Sequence, residues 1–131
     1  MSPLELGRRY AALRCWRFAP GTRLMNPRED GSFDTHRLVW PPYGVAQVHG
    51  PMLGCVKKDS LPDLTDMVTR AFAHELFHEV TWGFGHAVEQ TRCRDGAVIL
   101  TLAGRELPEK TFRGQDRLEV ALHALEWLEG R

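Results

Sequence analysis

Ser60-Leu61-Pro62-Asp63-Leu64-Thr65-Asp66-Met67-Val68-Thr69-Arg70-Ala71-Phe72-Ala73-His74-Glu75-Leu76-Phe77-His78-Glu79-Val80-Thr81-Trp82-Gly83 reads as one capped helix that divides the chain. Ser60 to Asp63 close the region before it and cap it. Asp63 and Asp66 sit at its start, where the helix dipole favours anions. Leu64, Val68, Phe72, Leu76 and Val80 then recur every four residues, and Gly83 is a natural stop. The pattern predicts a helix from about Leu64 to Trp82.

The same stretch holds H-E-x-x-H, from His74 through Glu75 to His78. On a helix this spacing sets two imidazoles one turn apart with a carboxylate beside them, the geometry that holds zinc and activates a water. At roughly 100° per residue from Phe72, Leu76, Val80, Ala73 and Phe77 fill an apolar arc of roughly 0–140°. His74, His78 and Glu75 fall at roughly 200–300°, on the other side. A catalytic zinc needs a third protein ligand. His86 is the nearest candidate and Glu89 a substitute. The metzincin arrangement is excluded, because Thr81 and Phe84 stand where its glycine and third histidine belong. Glu79 and Phe77 are also unusual occupants of a zinc-hydrolase helix.

Outward from this helix, Ser2-Pro3-Leu4-Glu5 has the form of a helix start, and residues 3–14 read as a short amphipathic helix. Between 15 and 57, Pro20-Gly21, Pro27, Gly31, Pro41-Pro42 and Gly50-Pro51 punctuate short strand candidates, among them His36–Trp40 and Val45–Val48. Beyond the central helix, Phe84–Gln90 and Ala97–Leu102 form a strand pair around Arg94-Asp95-Gly96. Gly104–Gly114 reads as a loop. A last helix spans Gln115–Glu129, with Leu118, Ala121, Leu122, Leu125 and Leu128 on one face. The expected fold is a single α+β domain over residues 1–131, of order α-β-β-β-α-β-β-α. Its helices should pack mainly on one face of an antiparallel sheet.

Composition is that of an ordinary globular chain: 131 residues, 43% hydrophobic, 26% charged and a formal net charge of zero. Zero net charge argues against a nucleic-acid partner held by bulk charge. No apolar run is long enough to cross a bilayer, so no membrane partner is expected. Three scattered cysteines and the lack of a charged-then-apolar leader lead to the expectation of a cytoplasmic protein without a disulfide framework. The charge is uneven, however: residues 1–65 carry a balance of +3 and residues 66–131 a balance of −3. From Arg8 to Arg28 there are six arginines and no acid, interleaved with Tyr10, Trp16 and Phe18. Arginine with aromatic side chains is the composition of protein interfaces and of single-strand nucleic-acid grooves.

Three segments occur together: Leu13-Arg14-Cys15-Trp16-Arg17 running into Pro20-Gly21, Leu61-Pro62-Asp63-Leu64-Thr65-Asp66 heading a helix that ends Trp82-Gly83, and a closing Leu/Ala-rich helix at Glu119–Leu128. This resembles a group of small uncharacterised proteins encoded in bacteriophages and GC-rich bacterial genomes. They carry L-x-x-W-x-x-x-P-G and L-P-D-L-x-D…W-G segments. The resemblance covers about half of the chain. It implies a packing role for the central helix, which is apolar in that group, and it implies no activity.

Two functional readings follow. The leading one is an accessory or counter-defence protein, phage-related and working in the host cytoplasm, that binds a host protein or a small ligand without a cofactor. Its contact residues would be Arg14, Trp16, Arg17, Arg23, Trp40 and Tyr43. The alternative is a minimal zinc hydrolase. There His74, His78 and His86 (or Glu89) would hold the metal, and Glu75 would be the general base. The sequence leaves the oligomeric state open.

Overall fold

The computed structural model describes residues 1–38, 56, 58–104 and 109–130, and the side chains of all of these except 87 and 89. The expected strand Val45–Val48 lies outside the described residues. The chain forms two compact units. One comprises residues 1–12 and 16–72, the other residues 13–15 and 73–131.

The first unit opens with helix α1, Pro3–Ala11. Ser2 caps it as its composition predicts: the Ser2 hydroxyl accepts from the Glu5 N–H at 3.2 Å, and Pro3 occupies the first turn. Leu6, Gly7 and Tyr10 are its buried face. Strand β1 (Arg23–Pro27) pairs antiparallel with β2 (Phe33–Arg37), Arg23 opposite Arg37 and Asn26 opposite Asp34. On its other edge β1 meets a two-residue strand β3 (Leu61–Pro62), so the sheet order is β2-β1-β3. Gly7 lets α1 lie against β3. A Cβ there would fall 2.8 Å from the Pro62 carbonyl oxygen.

Helix α2 spans Met67–Gly83, starting three residues later than its periodicity predicts. Asp63 explains the delay. Its carboxylate accepts from the Thr65 N–H at 3.1 Å and the Thr65 hydroxyl at 2.5 Å, which holds a turn instead of a first helical turn. Asp66 then caps the helix by accepting from the Thr69 N–H at 3.1 Å.

The second unit holds the three-stranded antiparallel meander β4 (His86–Arg92), β5 (Val98–Gly104) and β6 (Lys110–Gly114). Arg94-Asp95-Gly96 makes the expected hairpin turn. Gly96 sits at φ +85°, where a side chain would be strained, and Asp95 accepts from the Ala97 N–H at 3.0 Å. Helix α3, Arg117–Glu129, is capped by Asp116 and stops at Gly130. It packs on β5 and β6. Val98, Leu100 and Leu102 on alternate positions of β5 are buried, as are Leu118, Val120, Ala121, Leu122, Ala124, Leu125 and Leu128. Strand β6 was not legible as one, and its stretch reads as loop. Phe112 is its one large apolar residue, so alternation gives no signal. Pairing with β5 and the edge-on contact of Phe112 with Trp127 at 6.0 Å hold it in place.

The class is α+β with antiparallel pairing, as expected. Among the described residues the strands form two sheets of three, and the order is α-β-β-β-α-β-β-β-α. No helix among the described residues is long and apolar enough to cross a membrane.

Candidate functional site

In the Arg/aromatic segment the aromatics pack together, while Arg8, Arg14, Arg17 and Arg28 stay exposed. Trp16 stacks edge-on with Tyr10, Phe18 and Phe72, at ring separations of 5.7, 5.9 and 5.6 Å. Its indole nitrogen is buried, with no hydrogen-bond partner among the described residues. Arg17 lies with its guanidinium 5.6 Å from the Phe72 ring centre. Trp16 is thus the hub of a packed cluster in the first unit. Arg23 is occupied as well: it donates to the Thr35 hydroxyl at 2.8 Å and lies 3.5 Å from the Asp63 carboxylate. Arg14 belongs to the second unit, where it donates to the Glu129 carbonyl oxygen at 3.0 Å. Burial pushes the Glu129 carboxyl up, but the N–H groups of Arg14 and Cys15, at 2.7 and 2.9 Å, more than offset this and hold it below its usual value. Trp40 and Tyr43 lie outside the described residues.

The H-E-x-x-H residues lie on the polar side of α2, as the wheel predicts. Glu75 and His78 are exposed and His74 is half-buried. His86 goes elsewhere. At the start of β4 it is buried opposite Gly104, with its ring 6.4 Å from that of Trp127 on α3. Neither of its ring nitrogens has a hydrogen-bond partner among the described residues. Among those residues no three His, Cys, Asp or Glu side chains gather so that they could hold a metal ion. His86 therefore does not join His74 and His78 in a ligand set. The Glu89 side chain lies outside the described ones.

A shallow open hollow of about 490 Å³ lies at the β1–β2 turn, lined by Asn26, Pro27, Arg28, Glu29, Asp30 and Asp34. Its charged groups are largely occupied with one another. Arg28 pairs with Asp34, and Asp30 accepts from the Ser32 N–H and hydroxyl at 2.9 and 2.5 Å.

A surface that the sequence reading passed over stands at the end of α2. Trp82 is 83% exposed and Phe84 54% exposed. The turn that presents them is well made: Phe84 N–H donates to the Val80 carbonyl at 3.1 Å, Gly85 N–H to the Trp82 carbonyl at 2.9 Å, and Gly85 takes φ +75° to enter β4. Just before this turn Thr81 is buried, donating to the Phe77 carbonyl at 2.9 Å. One signal was available. Trp82 falls at roughly 280° on the wheel, between His78 and Glu75 on the polar side, where a large aromatic has no core to join. Glu75, His78, Glu79 and Trp82, all exposed, form one stripe along the last turns of α2.

No protein-family model matches this chain, no curated protein matches it, and no solved structure matches it.

Proposed function

We propose that this small α+β protein works by binding a partner protein, with Trp82 and Phe84 as the anchoring side chains. The exposure of Trp82 carries this reading. An indole held in water at the end of an ordered helix forgoes the burial that large aromatics otherwise gain. Trp is also the residue type most enriched among the side chains that dominate protein interfaces. A turn bearing two exposed aromatics suits a protein surface, whereas small ligands are held in concave sites. The resemblance to phage-encoded proteins supports a host protein as the partner and an accessory or counter-defence role in the host cytoplasm.

Photo-crosslinking tests the reading. A chain with a benzophenone side chain at position 84 should give a discrete adduct in a bacterial lysate, competed away by unlabelled protein but not by the Trp82→Ala variant. The same probe at exposed Arg94, on the β4–β5 turn, should give none. Equal adducts at both positions, or none at 84, would remove the Trp82–Phe84 surface as the contact.

A further inference from the structure

We infer that α2 also pairs this chain with a second copy of itself, as an antiparallel two-fold helix pair in which Trp82 of each copy packs over Ala71 of the other. The inference goes beyond the binding reading: a partner protein that anchors on Trp82 must displace the second copy. α2 is one unbroken helix, and Val68, Ala71, Glu75, His78 and Trp82 lie along its open side. Their spacings alternate between three and four residues, the a/d repeat of a helix-pairing seam. All five are exposed, Val68 at 51% and Trp82 at 83%. Val68, Ala71 and Trp82 are apolar on a side where a solvated helix carries charge.

The occupant follows from the complementarity of this seam with itself. In an isologous pair, residue i meets residue j and j meets i. Setting the largest side chain of the seam over the smallest, Trp82 over Ala71, fixes the antiparallel register. His78 lies four residues before Trp82 and Glu75 four residues after Ala71, so the same register sets His78 of each copy opposite Glu75 of the other. An imidazole N–H then donates to a carboxylate, twice by symmetry. Steric fit and electrostatic fit thus select one register independently. A parallel pair would bring Glu75 against Glu75 and Trp82 against Trp82. The seam is about 20 Å long at about 1.5 Å per residue, so the contact belongs to the small, weak class.

Sedimentation velocity of the intact chain, from about 10 µM to about 1 mM, tests this. The 14.9 kDa monomer is expected to give way to a species of twice its mass as concentration rises. Trp82→Ala, which removes the knob, and Ala71→Trp, which fills its hole, should each weaken the dimer at least about tenfold. His78→Glu sets two carboxylates against each other, twice over, and should also weaken it at least about tenfold. Adding Glu75→His to His78→Glu restores both pairs in the antiparallel register and should return affinity to within about threefold of wild type. Circular dichroism and melting of each variant confirm an unchanged fold, which the exposure of these side chains predicts. A chain that stays monomeric at about 1 mM would overturn the inference. So would a dimer that ignores Trp82, or one that the double exchange does not rescue. None of these results touches the binding reading, which fails separately if position 84 gives no adduct with another protein.

Discussion

Arg37 grips Asp66 with both ends of its guanidinium: Nη2 donates to Oδ1 at 2.7 Å and Nη1 to Oδ2 at 3.1 Å. The two residues tie strand β2 to the start of α2 within the first unit. Asp66 carries a second duty, because Oδ2 also accepts from the N–H and hydroxyl of Thr69 at 3.1 and 2.9 Å. The Arg37 hydrogen bond, helped by Thr69, holds the Asp66 carboxyl well below the usual carboxylate range despite partial burial. A carboxylate depressed in the folded state adds stability that is complete above its ordinary value of 3.8 and is lost as pH falls toward the folded value. Asp66→Ala is expected to cost about 1–3 kcal/mol at neutral pH through the lost cap and the orphaned guanidinium. In urea titrations the gap between wild type and Asp66→Asn should stay constant from pH 7 to about 5 and narrow below about 4. A gap that does not change with pH would show that the charge of Asp66 is not what stabilises the helix start.

Trp16 was expected at a contact surface and instead fills a cluster. Trp16→Ala should therefore destabilise the fold by about 3 kcal/mol, read as a lower denaturation midpoint. Arg17→Ala should cost less than about 1 kcal/mol, the worth of an exposed cation–π contact. Trp16→Phe should lie between them, since it keeps edge-on packing and removes an N–H that has no partner among the described residues. If Trp16→Ala leaves stability unchanged, the cluster does not hold the first unit together.

Gly7 is the closest approach between α1 and β3. Alanine is the better helix former by about 1 kcal/mol, so an exposed Gly→Ala change in a helix stabilises. Here the added methyl meets the Pro62 carbonyl oxygen, a backbone atom at 2.8 Å. Gly7→Ala is expected to be net destabilising by about 1–3 kcal/mol, the range for overpacking a tight contact. Thermal unfolding decides the sign, and a raised melting temperature would mean that α1 can shift away from β3 without loss.

The zinc reading is tested by elemental analysis of protein purified without chelator. His74 and His78 lie one turn apart, while His86 is buried against Trp127, so far less than one equivalent of zinc is expected. Stoichiometric zinc that disappears in His78→Ala would reverse this and restore Glu75 as a candidate general base.

The three helices were legible because each carries its own signals. Ser2 heads the first, Asp63 and Asp66 mark the start of the second to within three residues, and apolar residues recur at the helical period in each. The Arg94-Asp95-Gly96 turn was legible for the same reason, since an Asp side chain and a glycine at positive φ act locally. Even the polar side of α2 followed from periodicity, with Glu75 and His78 outward and Leu76 and Phe77 buried.

What lay beyond the sequence was every choice of partner made across long separations. Nothing in Leu13-Arg14-Cys15 says that α1 should stop at Ala11, yet the Arg14 and Cys15 N–H groups go to Glu129, more than a hundred residues on. Lys110–Gly114 became a strand because β5 offered it hydrogen bonds, not because its side chains alternate. Trp16 and Trp82 have the same side chain and opposite fates, one meeting three rings and the other meeting water. Local hydrogen bonds and periodicity are written in neighbouring residues, whereas burial depends on which surfaces the folded chain brings together. Only the tertiary structure could therefore separate the aromatic that packs among other rings from the aromatic left exposed.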